Sequence, residues 1–215
     1  MRRLAELCLV VRLERRVGGI RSGSDGYIYG LSGLGHAVLD LGQVVRRRHR
    51  RVPETKLAFE SHVLAVSELA VCLGEHALAG RCVVEEFRAE PGSWRPFGGL
   101  GGGIRVLKPD AYVRLGVGEY ETTAFIEQDM ATESLPTIGR KLNVYVDYWR
   151  SGIEQDAHEV FPRVWWLVPN TERLTALQRT VQQLPPHTHD LFTVALTDHA
   201  PDLLTQLPGS EGGAL

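Results

Sequence analysis

The sequence predicts an α/β fold in which a helix and three strands are followed by helix, strand, helix and strand, with a small basic module in front. Three observations carry this. The stretch from Phe59 to Leu73 is almost continuously apolar and free of Gly and Pro, too long for one strand and therefore a buried helix. Strand-like runs at Cys82 to Ala89, Ile104 to Leu115 and Glu121 to Asp129 follow it, and longer segments of helical spacing come after them. Charge also divides the chain. Residues 1–52 hold 11 Arg against 4 acids, a net +7, whereas the rest holds 13 Lys or Arg against 22 acids, a net −9; the 215-residue total of −2 describes neither part. A split of this kind points to a basic part that meets a polyanion and an acidic part with another task.

From the N-terminus, Leu4, Leu7, Cys8 and Val11 have helical spacing, so Arg2 to Val11 reads as a helix. Val11 to Val17 alternates as a strand does, Gly18-Gly19 and Ser22 to Gly26 make a tip, and Tyr27-Ile28-Tyr29 returns, which is a long-tipped hairpin. Leu31 to Leu39 is helical again. Helix, hairpin and helix, with arginines on the first two, are similar to the last part of a winged helix: recognition helix, wing and closing helix. Residues 1–45 are read as this partial module, the alternative being a basic hairpin used for packing. Residues 46–57 form a linker, extended by its five arginines and Pro53. Residues 58–207 form the main domain, and the Gly-rich tail 208–215 is expected to be disordered.

Within the main domain, Gly74 is the expected end of the long helix. Pro91 to Gly103, with Trp94, Pro96 and six glycines, reads as a mobile loop. Leu135 to Arg150 is a helix with Ser134 as N-cap and Pro136 in its first turn. Phe161 to Val168 is an apolar strand, Thr171 to Leu184 a helix and Leu191 to Leu196 a last strand.

With 43% apolar residues and no low-complexity tract, the composition excludes collagen, mucin-like stalks and wholesale disorder. No apolar run reaches the roughly 18 residues of a membrane span, so a cytoplasmic protein that does not engage a membrane is expected. Cys8, Cys72 and Cys82 lack metal or disulfide spacing and read as small core residues. Gly98 to Gly103 has no following Lys-Ser/Thr and is not a phosphate-binding P-loop, and His187-Thr188-His189 reads as a loop.

The chemistry is concentrated at Pro109-Asp110, Glu127-Gln128-Asp129 and Lys141. Period-two alternation puts Glu127 and Asp129 on one face of the third strand and brings Asp110 beside them. Like charges converging there repel, and a hard divalent cation, Mg²⁺ or Mn²⁺, would relieve the cost. Carboxylates of two adjacent strands holding a metal that activates water for attack on phosphorus is the layout of a metal-dependent nuclease; acids solvated at strand ends are the alternative. Lys141 lies three after Ile138 and four before Tyr145 in the inward stripe Ile138, Leu142, Tyr145 and Trp149. Its ammonium can reach the strand ends and stabilise charge at phosphorus, or snorkel to Glu133 or Asp129. On the first helix, Glu68 in an apolar run is expected to be buried with a partner, and His62 to orient a phosphate, act as general base, or serve structure alone.

His62-Val-Leu-Ala-Val-Ser-Glu-Leu69, Leu107-Lys-Pro-Asp-Ala-Tyr-Val-Arg-Leu115, Phe125-Ile-Glu-Gln-Asp-Met-Ala-Thr-Glu-Ser-Leu135, Arg140-Lys-Leu-Asn-Val-Tyr145 and Phe161-Pro-Arg-Val-Trp-Trp-Leu-Val168 occur in that order. Together they resemble the replication-relaxation family of plasmid and integrative-element proteins, relatives of the MobC-type mobilisation relaxases, over residues 1 to about 184. The resemblance implies a winged helix followed by a restriction-endonuclease-like core of the PD-(D/E)XK type, a mixed central sheet flanked by helices. Carried across, Glu68 resembles the helix glutamate of such cores, Asp110 the aspartate of Pro-Asp and Glu127 the acid of the third-strand motif. Asp129 stands where lysine is expected, with Lys141 as a migrated replacement, and Ala131 stands where the family usually has Gly.

The expected function is DNA binding with metal-dependent nicking in plasmid replication or mobilisation. Asp110 and Glu127 would hold Mg²⁺ or Mn²⁺, and Glu68, Asp129, Lys141 and His62 would complete the catalytic set. Arg2, Arg3, Arg12, Arg15, Arg16, Arg21, Arg46, Arg47, Arg48, Arg50 and Arg51 would contact double-stranded DNA. A homodimer and relaxosome or replication proteins are the further partners. The alternative is a non-enzymatic DNA-binding regulator or accessory factor whose nuclease-like core dimerises or docks.

Overall fold

The computed structural model describes residues 1–13, 27–39, 41, 57–98 and 102–207. It divides into two compact units, Met1–Leu57 and Ala58–Leu215. Arg15, Arg16, Arg21, Arg46, Arg47, Arg48, Arg50 and Arg51, the linker up to Lys56 and the tail 208–215 lie outside the described residues.

In the first unit, helix α1 (Arg2–Glu6) leads into strand β1 (Val10–Arg12), which pairs antiparallel with β2 (Tyr29–Leu31) ahead of helix α2 (Gly33–Leu39). The expected helix to Val11 stops early because Cys8 adopts φ 56°, a left-handed conformation that ends a right-handed helix. Ser32 starts α2: its hydroxyl donates to the Cys8 carbonyl at 2.5 Å and accepts from the Gly35 amide at 2.9 Å. A Cβ on Gly35 would come within 2.0 Å of the Leu9 carbonyl oxygen, so only glycine allows this approach. Arg12 lies over the Tyr27 ring at 4.5 Å. Arg2 and Arg3 are exposed on α1.

In the second unit, helix α3 (Leu57–Leu78) precedes strand β3 (Val83–Ala89), a hairpin of β4 (Arg95–Gly98) and β5 (Ile104–Leu107), and strands β6 (Ala111–Val117) and β7 (Tyr120–Gln128). Helices α4 (Leu135–Arg150) and α5 (Ile153–His158) lead to β8 (Arg163–Val168), and α6 (Thr171–Val181) to β9 (Phe192–Leu196) and α7 (Ala200–Leu204). The sheet order is β3-β6-β7-β8-β9. The first three strands are antiparallel, and β7, β8 and β9 are parallel. This follows from the connections: Gly118, at φ 60°, makes the tight β6–β7 turn, whereas β7 to β8 and β8 to β9 cross over through helices.

Alternation along the strands supplies two cores. Val113, Leu115, Ala124, Ile126, Leu167 and Ala195 pack with Val66, Leu69 and Leu73 of α3. Tyr112, Phe125, Val164, Trp166 and Val168 pack with Ile138, Leu142, Tyr145 and Tyr148 of α4 and Leu177 and Val181 of α6. The expected second strand proves to be two elements. Pro109 has no N–H for a ladder, so β5 pairs with β4 in its own hairpin and only β6 enters the sheet. The segment read as a loop therefore contains β4, whose Phe97 packs on Tyr148 at 5.1 Å between ring centres. Helix α3 continues through Gly74, and Tyr148 takes the fully buried place expected of Trp149. Cys8 is exposed and Cys72 half-buried, leaving Cys82 alone in the core. Among the described residues, no helix is long and apolar enough to cross a membrane.

Candidate active site

One end of the sheet gathers the polar residues. Asp110 precedes β6, its amide bonded to the Ile126 carbonyl at 3.0 Å, and its Oδ2 accepts the Gln128 amide at 2.7 Å. The register that places Ala111 opposite Ile126 thereby sets Asp110 beside the end of β7. Glu127 lies on the α4 side of β7, buried at 3% exposure. Tyr145 donates to its Oε1 at 2.6 Å, and Lys141, one turn earlier on α4, places Nζ 3.5 Å from its Oε2 and 3.2 Å from Glu133. His62, on the stripe of α3 that continues as Val66, Leu69 and Leu73, sets Nε2 3.1 Å from Asp110 Oδ1. A cavity of about 210 Å³ opens here, with His62, Glu127, Gln128, Asp129, Glu133 and Lys141 in its wall.

The charges are strongly coupled. Burial, reinforced by the Asp110 carboxylate, pushes Glu127 up to about 8, against partial relief from Lys141 and Tyr145. The hydrogen bond to Asp110 raises His62 despite partial burial, so the imidazolium is favoured. Burial acts to lower Lys141, but Glu127, Glu133 and Asp110 more than reverse it and hold the ammonium charged. Burial and then Glu127 raise Tyr145 well above the ordinary phenol value, keeping it a hydrogen-bond donor.

These shifts give a pH dependence of stability. A folded-state value above the unfolded one favours the native state fully below the unfolded pKa, and the benefit is lost as pH rises through the folded value. For Glu127 the window runs from about 4.5 to about 8, and His62 acts in the same direction above 6.5. The metal-free protein is expected to lose roughly 5 °C or more of Tm between pH 5 and 8.5. Thermal unfolding of Glu127→Gln, whose side chain does not titrate, should show a smaller fall over the same range.

Two residues depart from expectation. Glu68 is exposed, because α3 turns Val66, Leu69 and Leu73 to the sheet and Glu68 points away, its nearest partner being Cys72 at 4.0 Å. Asp129 is buried, but Arg173 at the start of α6 takes its carboxylate, Nε at 2.5 Å from Oδ2 and Nη2 at 3.3 Å from Oδ1. The Ala131 amide also donates to Oδ1 at 2.7 Å, and Arg173 donates to the Glu133 carbonyl at 2.6 Å. This clamp orders the segment that carries Glu133 to Lys141. Ala131 within it has φ 57°, a conformation that glycine adopts more readily. Arg173 is not among the residues expected at the site, and Tyr145 is expected there only for packing. Tyr145 was signalled by its place four residues after Lys141, whereas nothing local ties Arg173 to an acid 44 positions earlier.

Mg²⁺ and Mn²⁺ take hard oxygen ligands. Glu127 contributes a carboxylate to the cavity wall, where Gln128 has a buried side-chain oxygen with no hydrogen-bond partner among the described residues, and Asp110 is tied to the same end of the sheet through His62 and the Gln128 amide. Among the described residues, no three His, Cys, Asp or Glu side chains are grouped to hold a metal, since Asp129 is drawn to Arg173 and Glu68 faces outward.

In comparisons with known proteins, no curated protein and no solved structure matches the chain. A family model described as Replication-relaxation matches residues 1–164, which span the first unit and the segments contributing His62, Asp110, Glu127 and Lys141. With some three quarters of its length matched by that model, the chain belongs to the replication-relaxation family.

Proposed function

We propose that the protein binds DNA in plasmid replication or mobilisation and nicks it through a metal-dependent phosphodiester cleavage centred on Asp110, Glu127 and Lys141. The observation that carries this is Lys141 Nζ lying 3.5 Å from the buried Glu127 carboxylate, on the helix after the strand paired with the Asp110 strand. The order α3, β3, β6, β7, α4, β8, with β3, β6 and β7 antiparallel and β8 parallel to β7, supports a PD-(D/E)XK-type core.

Asp110 and Glu127 would hold the cation, which when bound supplies Lewis acidity and a water of lowered pKa. The remaining roles belong to the chain. Tyr145 fixes one oxygen of Glu127 and leaves the other facing Lys141. Lys141, kept charged by its acidic neighbours, offers positive charge to a phosphoryl oxygen. The raised pKa of His62 suits a cation that orients a phosphate better than a general base. Asp129 acts through Arg173 as a brace for the Glu133 segment rather than as a ligand. Arg2, Arg3 and Arg12, together with Arg15, Arg16, Arg21, Arg46, Arg47, Arg48, Arg50 and Arg51, would bind duplex DNA through phosphates as part of a winged-helix module. That affinity should fall steeply with salt. A homodimer and relaxosome partners belong to the same reading.

The Asp129–Arg173 pair favours a second reading, a non-enzymatic DNA-binding accessory factor, because an acid already neutralised stands where the nuclease motif has its lysine. Supercoiled plasmid carrying the cognate origin separates the two. Wild type with Mg²⁺ or Mn²⁺ is expected to produce open circles, and Asp110→Ala and Glu127→Ala to reduce the rate at least about 1,000-fold. No nicking by wild type, or equal nicking by both variants, would reject the nuclease.

A further inference from the structure

Outside the cavity, an exposed aromatic and a lysine meet beside the Pro-Asp segment. Trp94 is 37% exposed, and Lys108 Nζ stands 4.6 Å from the centre of its ring. The backbone beneath the ring is firmly held. Ser93, fully buried, donates its hydroxyl to the Pro109 carbonyl at 2.5 Å, and Arg95 donates to the Ser93 carbonyl at 2.8 Å. Arg95 is itself fixed by Glu154 at 2.7 Å and lies over the Tyr112 and Phe125 rings. A large ring on an anchored turn is left facing solvent although the neighbouring Ser93 and Phe97 are buried. Lys108 is two residues before Asp110, so their Cα atoms are at most about 7 Å apart.

We infer that Trp94 and Lys108 form a platform for an unpaired nucleotide of the DNA strand entering the site, the indole stacking on the base and the ammonium pairing with a phosphate. This rests on the DNA-processing reading of the site to which the neighbouring Asp110 belongs and adds the form of nucleic acid it takes. In the free protein the ammonium covers the ring, a contact worth about 2- to 5-fold in an equilibrium at an exposed position. Stacking of a base on an aromatic side chain is worth roughly 5- to 150-fold, so a strand can displace the lysine from the ring and gain its charge for the backbone. A duplex offers no free base face and gains only the phosphate contact.

The test uses the full chain without divalent cations, titrated with a twelve-residue oligothymidylate and, separately, with a twelve-base-pair duplex, followed by tryptophan fluorescence. Four tryptophans are present, so the Trp94 signal is the difference between wild type and Trp94→Leu. The single strand is expected to quench that component, Trp94→Leu to bind it about 5- to 150-fold more weakly, and Trp94→Phe to stay near wild type. Lys108→Ala should lower the salt slope by about 0.7. Binding of the single strand without a Trp94-dependent quench, or an equal quench by the duplex, would overturn the inference. A Trp94-dependent quench in a protein that never nicks plasmid supports the platform and rejects the nuclease. Nicking without any quench does the reverse.

Discussion

Arg173→Ala is expected to lower the stability of the Ala58–Leu215 unit by about 3 to 5 kcal/mol. The Asp129 side chain is 3% exposed and accepts two nitrogens of Arg173, so removing the guanidinium strands a buried carboxylate. It also frees the Glu133 carbonyl from its 2.6 Å bond and slackens the segment that leads into α4. Replacing both partners, Asp129→Leu with Arg173→Met, should cost much less, because no charge is left unpaired. Urea unfolding followed by tryptophan fluorescence reads this unit directly, since Trp94, Trp149, Trp165 and Trp166 all lie in it. A single-variant loss below about 1 kcal/mol would mean that Asp129 is solvated in solution.

Lys141→Met is expected to reduce metal-dependent nicking about 100- to 1,000-fold while leaving Tm within about 2 °C of wild type at pH 7. The two effects separate because Lys141 is 41% exposed at its side chain and Tyr145 still donates to the Glu127 carboxyl when the lysine is gone. Removing the ammonium leaves no buried charge without a partner, yet takes away the cation nearest Glu127. Lys141→Arg keeps charge but changes its shape and hydration, so only partial activity should return. Open-circle formation and differential scanning calorimetry on the same preparations measure both halves. A parallel fall in activity and Tm would assign Lys141 to structure alone.

Much of this site was legible because it follows local rules. Leu135 to Arg150 emerged with the expected ends, since Ser134 and Pro136 mark its start and its apolar stripe has clear spacing. Lys141 beside that stripe could be aimed at the strand ends from spacing alone, with Glu133 or Asp129 as the expected partner, and the structure pairs it with Glu127 and Glu133. Period-two alternation likewise brought Asp110 toward the third strand, and the register bears this out through the Gln128 amide. What local rules hid was partnership over distance. Glu127 and Asp129 looked equivalent by parity, but Arg173 lies 44 residues from Asp129 and singles it out. Glu68 was misjudged because α3 is apolar on its outer side too, with Val63, Leu64 and Val71 exposed, so its composition concealed which face meets the sheet. The β4–β5 hairpin was lost among glycines whose turn signals outweighed the short strands on either side.

The proposed site requires Asp110 and Glu127 to hold a divalent cation jointly within reach of Lys141. Anomalous diffraction from crystals soaked in Mn²⁺ tests it most directly. One Mn²⁺ peak is expected at coordination distance from a carboxylate oxygen of each residue, absent in Glu127→Ala crystals treated alike. A peak bound elsewhere and unchanged by Glu127→Ala, or no peak at saturating Mn²⁺, would contradict it.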